Sequence, residues 1–469
     1  MKLLKSRRLR SLKKKYLGLL VNHVVLKYNL PKLIPVSCDV LGPPKGVYYQ
    51  MKDWIQKWGK DVEWVKVHPK TQYEPILPKT IENLSSWITM ENCDFSWPET
   101  SVTVIPKGRV YEYRRRGYIL TPDQHIIEDH SNQPLYHHPF IPNPEQRAYD
   151  SLYSIFLKPK LTPVRKIAGQ VAVVHANSWE NYSHWCFDIL PKLQILKEAG
   201  YDWKNLEKIV VPDIQFAFQR ESLDLLGIRP EQCLTLSRGQ HIQADQLIVP
   251  SMVSPIGQTP EWAVDFLREN LLSNTKNLTN IYPEKIYISR SKCKYRLVLN
   301  EAEIFNYLEE LGYQKIYLED LSVEQQILTF YHAKWIVSPH GAGLTNLVYC
   351  QPGATIIEFF SPRFACPTYY LLSIPVHLNY YYLFGEGPQH DNPTDYILEL
   401  DKPGSGYQDI LLNPDKLKET LSLAVRGRHI VSHGLDSDTA GTRKAIPEYL
   451  PRAAEYSRGK PLELGFHLD

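Results

Sequence analysis

From residue 166 onward, short runs of apolar β-branched residues alternate with stretches of helical period. The first series reads "KIAGQVAVVHA", "KIVVP", "IQFAFQRESLDLLG", "ADQLIVPS" and "EWAVDFLRENLL". Runs of four to eight apolar residues bounded by turn signals predict buried strands, and the intervening patterns predict amphipathic helices. After the polar stretch "SNTKNLTNIYPE", which reads as a linker, a second series begins. In it "KIYISRS", "QKIYL", "WIVSP" and "TIIEFFS" read as strands, and "NEAEIFNYLEELG", "SVEQQILTFYHAK" and "GLTNLVYC" as helices. Asn300 and Ser322 are the expected N-caps and Gly312 the expected stop. Two such series imply two parallel sheets facing each other, with ligands at the strands' carboxyl ends.

Residues 40 to about 160 differ. They are rich in Pro, Trp and Tyr, and short runs such as "SVTVIPKGRVYEY" and "GYILTPDQHIIED" predict a small β-rich N-terminal lobe. The expected organisation is a leader over 1–39, an N-terminal domain over 40–280, an α/β domain over 281–413, and a terminal helix with a polar tail over 414–469. At 469 residues and 43% hydrophobic content the chain is long enough for two cores.

Charge changes this picture at one place. The balance of +3 gives no argument for nucleic acid, but residues 1–15 carry eight Lys or Arg and no acid, and lead into "YLGLLVNHVVL". That apolar run is too short to span a bilayer. A basic amphipathic segment over residues 1–26, lying on an anionic membrane surface, is the expectation, with a polar leader or a local nucleic-acid contact as the plain alternatives. Seven cysteines, odd in number and never spaced C-x-x-C, signal neither a disulfide framework nor a zinc site, so a reducing, cytoplasmic setting is expected.

Candidate chemistry gathers at strand ends. In "WIVSPHGAGLTN" a strand breaks at Ser338-Pro339, and Gly341 and Gly343 allow close backbone approach before a helix begins. Backbone N–H groups at a helix start form an anion site, and His340 stands at the strand end. Arg290 ends an earlier strand and Arg296 follows six residues later, offering forked donors for phosphate oxygens, although a solvated basic loop has the same composition. Glu358, eighteen residues past His340, could accept from ribose hydroxyls or pair with an arginine. In "NSWENYSHWCFDILPKL" a helix would put His184 and Asp188 at i and i+4 on one face, either as a general base with its orienting carboxylate or as a buried pair that satisfies itself. The one Asp-x-Asp pair, Asp436-Ser437-Asp438, falls in the polar tail and reads as chance, so no metal is expected.

Three blocks, "NYSHWCFDILPKL", "ISRSKCKYRLVLNEAEI" and "IVSPHGAGLTNLVYCQPGATIIEFFSP", resemble the signature blocks of glycosyltransferase family 61 in spacing and order. The resemblance spans roughly residues 95 to 385 and is similar to that of bacterial members acting on capsular or exopolysaccharides. It implies a GT-B-like pair of Rossmann-type domains, a nucleotide-sugar donor held mainly by the C-terminal one, and metal-independent transfer with inversion to a glycan or lipid-linked glycan. Carried over by position, Arg290, Arg296, His340, Gly341, Ala342, Gly343, Thr345, Asn346 and Glu358 become donor-site residues, and His184 and Asp188 acceptor-side residues. No cofactor is implied. A non-catalytic sugar-nucleotide or glycan-binding protein at the membrane surface is the other reading of the same blocks.

Overall fold

The computed structural model describes residues 41–58, 62–73, 78–81, 96–131, 155–156, 158, 160–255, 257–275, 282–387 and 408–433. The basic leader, the polar tail and Asp436-Ser437-Asp438 lie outside them. The chain enters through β1 (Gly46–Tyr48), α1 (Met51–Trp58), β2 (Trp64–Lys66) and a separate ladder of β3 (Thr71–Gln72) with β4 (Ser96–Trp97). The strands β5 (Ser101–Pro106), β6 (Arg109–Tyr113), β7 (Arg116–Leu120) and β8 (His125–Ile127) follow. The first α/β series supplies β9 (Arg165–Val173), β10 (Ile209–Pro212), β11 (Cys233–Leu236) and β12 (His241–Pro250).

These do not make an all-parallel sheet. β12, β9, β10 and β11 run parallel, but β12 also takes β5 and β6 as antiparallel neighbours. Strands of the β-rich segment therefore extend the sheet of the first series, in the order β1-β8-β7-β6-β12-β9-β10-β11. The fully buried "IVVP" of β10 shows why it lies inside: an apolar run without alternation needs cover on both faces.

The second sheet is parallel throughout, with β13 (Lys285–Ile288), β14 (Gln314–Ile316), β15 (Trp335–Pro339), β16 (Thr355–Phe360) and β17 (Asn379–Phe384) in the order β14-β13-β15-β16-β17. After β13 the chain moves to one side to make β14 and then crosses to the other for β15. This places a crevice outside the carboxyl ends of β13 and β15, the position where doubly wound sheets hold ligands.

Around these strands pack α2 (Lys192–Glu198), α3 (Ala217–Leu225), α4 (Glu261–Leu267), α5 (Glu301–Glu310), α6 (Val323–His332), α7 (Thr368–Val376) and α8 (Pro414–His433). Ser322 starts α6 with a reciprocal cap: its hydroxyl accepts from the Gln325 N–H and the Gln325 side chain accepts from the Ser322 N–H. Asn300 precedes α5, yet its amide is used elsewhere, bridging the N–H and C=O of Leu412. Gly312, at φ 84°, ends α5 in the left-handed region where glycine is unstrained.

"GLTNLVYC" departs from the expected α-helix. Ala342–Tyr349 is a 3₁₀ helix whose residues from Leu344 to Tyr349 are all buried, wedged against α6 and α7. Runs of this length are uncommon because 3₁₀ hydrogen bonds are poorer, so tertiary packing imposes the tighter coil. Its last carbonyls are answered from the first half, where Arg268 donates to the C=O groups of Val348 at 2.9 Å and Cys350 at 2.7 Å.

The halves share one apolar cluster. It runs from Trp185, Leu190 and Phe266 to Ile336, Leu347 and Leu372 without interruption. Two other connections cross in the same region: the Val323 N–H donates to the Glu221 carboxylate at 2.7 Å, and the Tyr182 hydroxyl to Asn346 at 2.9 Å. Segment 78–81 also leaves the first half, with Lys79 bridged to Tyr381 beside β17. Helix α8 belongs with the second sheet, since Leu417, Leu421 and Ala424 pack with Ile357 and Leu383. Among the described residues, no helix is long and apolar enough to cross a membrane.

Candidate active site

Between the halves, at the crevice beyond β13 and β15, lies a cleft of about 350 Å³. Ser289, Arg290 and Arg296 line it from the loop after β13, Gly341, Ala342 and Gly343 from the turn after β15, and Asn181 and Tyr182 from the first half. The two glycines serve contact here, not unusual torsions. Gly341 has φ 174°, extended backbone open to any residue. However, a Cβ there would lie 2.0 Å from Nη1 of Arg290, and one on Gly343 would lie 2.4 Å from Cδ1 of Leu318.

Arg290 therefore rests on bare backbone. Its Nη2 donates to the Tyr295 carbonyl at 3.3 Å, its buried Nε has no hydrogen-bond partner, and it makes no ion pair among the described residues. Arg296 adopts φ 55°, a left-handed conformation rare for a side chain of this size. Its guanidinium stacks 4.5 Å from the Phe364 ring centroid, and Tyr295 lies 5.3 Å from Arg296 and 5.5 Å from Arg290. Burial first, and then the charge of Arg290, pull the Arg296 pKa below its ordinary value. Two like charges held in one cleft are costly unless an anion comes to them.

Substituting Gly341 by alanine is expected to weaken binding of a nucleoside diphosphate roughly tenfold, by pushing Arg290 off its seat. Stability should hardly change, because the obstructing atom is the end of a flexible side chain. Calorimetric binding together with thermal melting separates the two effects, and unchanged affinity would count against this account.

Beneath the turn, His340 is buried and shares its Nδ1 with the Glu358 carboxyl at 2.5 Å, while the Tyr380 hydroxyl donates to the other Glu358 oxygen at 2.5 Å. Burial pushes Glu358 up to about 8, against the Tyr380 hydrogen bond and the Arg296 charge. Burial, then Arg296 and Arg290, hold His340 well below its ordinary value. Both shifts favour the uncharged carboxyl and imidazole over a charged pair in this buried place. Glu358 is 0% exposed, within β16, so it does not present its carboxylate to a ligand as a strand-end acid would. Thr345 and Asn346 are also fully buried. Asn346 braces the cleft wall, accepting from Tyr182 and donating to Gln326 at 2.9 Å and the Gly343 carbonyl at 3.1 Å.

Two residues beyond Tyr182, the dyad is formed. His184 Nδ1 is 2.6 Å from Asp188 Oδ2, with side chains 26% and 4% exposed. The expected helix is interrupted: Trp185–Ile189 is one π turn, with the Leu190 N–H donating to the Trp185 carbonyl, and Pro191 follows. A proline has no N–H for the carbonyl four residues back, and the coil widens ahead of it. Burial works against the imidazolium of His184, but the hydrogen bond and charge of Asp188, with Glu180 adding, outweigh it and raise the pKa. On the next turn Lys192 is buried, donating to the His175 carbonyl at 2.6 Å. Burial brings its pKa down to about 8, opposed by the charge of Asp188.

The sequence reading missed Tyr182, Tyr295, Glu319, Gln326, Lys192 and Tyr380. Only Lys192 carried a usable local signal, its i+4 spacing from Asp188. The others are brought in by strand order and loop packing. Among the described residues, no three metal-ligating side chains converge.

A parallel α/β sheet with arginines and a glycine turn at its switch point defines the class, an α/β protein with a crevice outside the carboxyl ends of its strands. Residues 182–357 match the family model described as Glycosyltransferase 61. The resemblance read in the sequence is thereby shown over that segment, and it supports a glycosyltransferase, with a sugar donor and a glycan acceptor. The segment contains every candidate site residue except Glu358, which follows its last position. A search among curated proteins finds no match.

Proposed function

We propose that the protein is an inverting, metal-independent glycosyltransferase of GT-B type that moves a sugar from a nucleotide-sugar to a hydroxyl of a glycan or lipid-linked glycan. The observation that carries this reading is the convergence of Arg290, with no carboxylate partner among the described residues, and Arg296 on one cleft at the sheet's switch point. The donor's diphosphate would lie between the two guanidiniums and the backbone of Gly341–Gly343, where its negative charge is answered by forked donors. His184, with Asp188 fixing its tautomer, would take the acceptor's hydroxyl proton on Nε2. The acceptor oxygen then bonds to the anomeric carbon from the face opposite the diphosphate, whose C–O bond breaks and carries the electron pair away. Inversion follows from that in-line displacement. The basic residues 1–26, outside the described part, would keep the enzyme on the cytoplasmic face of a membrane by attraction to anionic lipid.

A panel of nucleotide-sugars, with nucleotide release as readout, tests the reading without knowledge of the acceptor. One sugar nucleotide should be hydrolysed slowly and at the same rate after exhaustive EDTA treatment. Loss of activity in EDTA with recovery on Mn²⁺ would overturn metal independence. Binding of a donor without turnover by any member of the panel, glycan acceptors included, would favour a non-catalytic binding protein.

A further inference from the structure

We infer that Glu319 holds the ribose of the donor nucleotide, accepting hydrogen bonds from its hydroxyls. The inference rests on the proposed reading of the cleft as a nucleotide-sugar site and names the residue that would recognise the sugar of the nucleotide.

The argument begins with what Glu358 cannot do. Its two oxygens are taken by His340 and Tyr380 and none of it reaches solvent, so a ribose has no access to it. Another acceptor is needed at the crevice, because two adjacent hydroxyls leaving water require partners.

Glu319 meets the requirement by position. It lies in the short 3₁₀ turn Leu318–Asp320 that follows β14, the strand hydrogen-bonded to β13. In doubly wound sheets, an acid at the carboxyl end of the strand next to the phosphate-binding one accepts from ribose hydroxyls. Here Glu319 lines the same cleft as Arg290, Arg296 and the Gly341–Gly343 turn. Its neighbour Leu318 packs directly on Gly343, so the acid follows by one residue a side chain that touches the phosphate turn. A ribose is one ester bond from its diphosphate, and one cleft of about 350 Å³ holds both.

It meets the requirement by charge as well. The turn carries two acids, and they differ in what occupies them. Asp320 is ion-paired with Lys292, which itself lies 4.6 Å from the Tyr317 ring centroid. Glu319 has no cation within ion-pair distance among the described residues and accepts only from the thiol of Cys293, at 3.1 Å. A thiol is a weak donor, so one carboxylate oxygen and most of the other's capacity remain open. The Lys292 and Cys293 contacts both join the arginine loop to this turn, so the ribose acceptor and the phosphate donors sit on connected segments.

Calorimetry on the full chain tests it, with UDP, GDP, CDP and ADP as probes. The tightest of the four is then compared with its 2′-deoxy and 3′-deoxy forms. The wild-type protein should prefer the ribose form roughly 10- to 100-fold, the range for hydrogen bonds to a charged group. Glu319→Ala should bind the ribose form about as weakly as the deoxy forms, with the preference between them lost. Asp320→Ala, at the paired acid beside it, should keep the wild-type preference. Both positions are exposed, so neither variant threatens folding. An unchanged ribose preference in Glu319→Ala, or equal loss in Asp320→Ala, overturns the inference while leaving the diphosphate site standing. If none of the four diphosphates binds the wild-type protein, or if Arg290→Ala binds them unchanged, the reading of the cleft itself fails and takes the inference with it.

Discussion

Replacing His184 by alanine is expected to lower turnover about 10²–10⁴-fold, the usual cost of losing a positioned base. Affinity for nucleotide should hardly move, because Arg290 and Arg296 come from a different half of the chain. The pH profile adds a second readout. A base works in its neutral form, so the rate rises as pH passes upward through the His184 pKa. Asp188 raises that pKa above its ordinary 6.5, so the ascending limb should lie above pH 6.5. Asp188→Asn removes the anion that raises it, and the limb should move to lower pH even as the maximum rate falls. The stability effect has the opposite sense. A histidine whose folded pKa is raised stabilises the fold fully below its unfolded pKa, and that contribution is lost as pH rises through the folded value. The dyad thus contributes least to stability in the range where it is most active. Lys192, the other titratable group beside Asp188, loses its charge near pH 8 and would shape the profile's upper end. Wild-type turnover in His184→Ala, or nucleotide affinity reduced tenfold, would end its assignment as base and bring Asp188 forward.

Arg290→Ala should weaken both nucleotide binding and turnover by roughly 10- to 100-fold, since a charge-assisted contact contributes about 1.5–3 kcal/mol. The structure sharpens the reason. Arg290 lines the cleft and makes no ion pair among the described residues, so a phosphate arriving at its guanidinium meets a charge that no carboxylate answers in the free protein. Arg290→Lys should recover only part of the loss, because a point charge lacks the fork and cannot lie flat on Gly341. Removing Arg290 also relieves Arg296 of a like charge, which would offset some of the cost and keeps the expectation at two decades or below. Full activity in Arg290→Ala would move the phosphate site elsewhere.

Much of this site was legible because it is written locally. His184 and Asp188 meet through a four-residue spacing that survives the change from α to π turn, since both coils put i and i+4 on one side of the axis. Arg290 and His340 each follow an apolar strand, and parallel strands bring their carboxyl ends to one edge whatever their order. The cap at Ser322 and the stop at Gly312 are short-range hydrogen-bonding and torsional facts, and they form as expected.

The residues that were not legible depend on distant partners. Glu358 reads as a strand-end acid in "TIIEFFS", but the strand runs two residues further and the carboxyl is enclosed by His340 from β15's end and Tyr380 from β17. Glu319, which drew no notice in the sequence, becomes a cleft residue because β14 pairs with β13. The coil of Ala342–Tyr349 was misread for the same reason, since burial on all sides, not local propensity, selects it. The sequence by itself determined the alternation of strands and helices, the histidine–aspartate dyad and the residues standing at strand ends, all set by hydrophobic period and chain spacing. Only the tertiary structure decided the strand order that makes the crevice, the shared core that joins the halves, and which of two glutamates lines the cleft, because each depends on pairings between segments far apart in the chain.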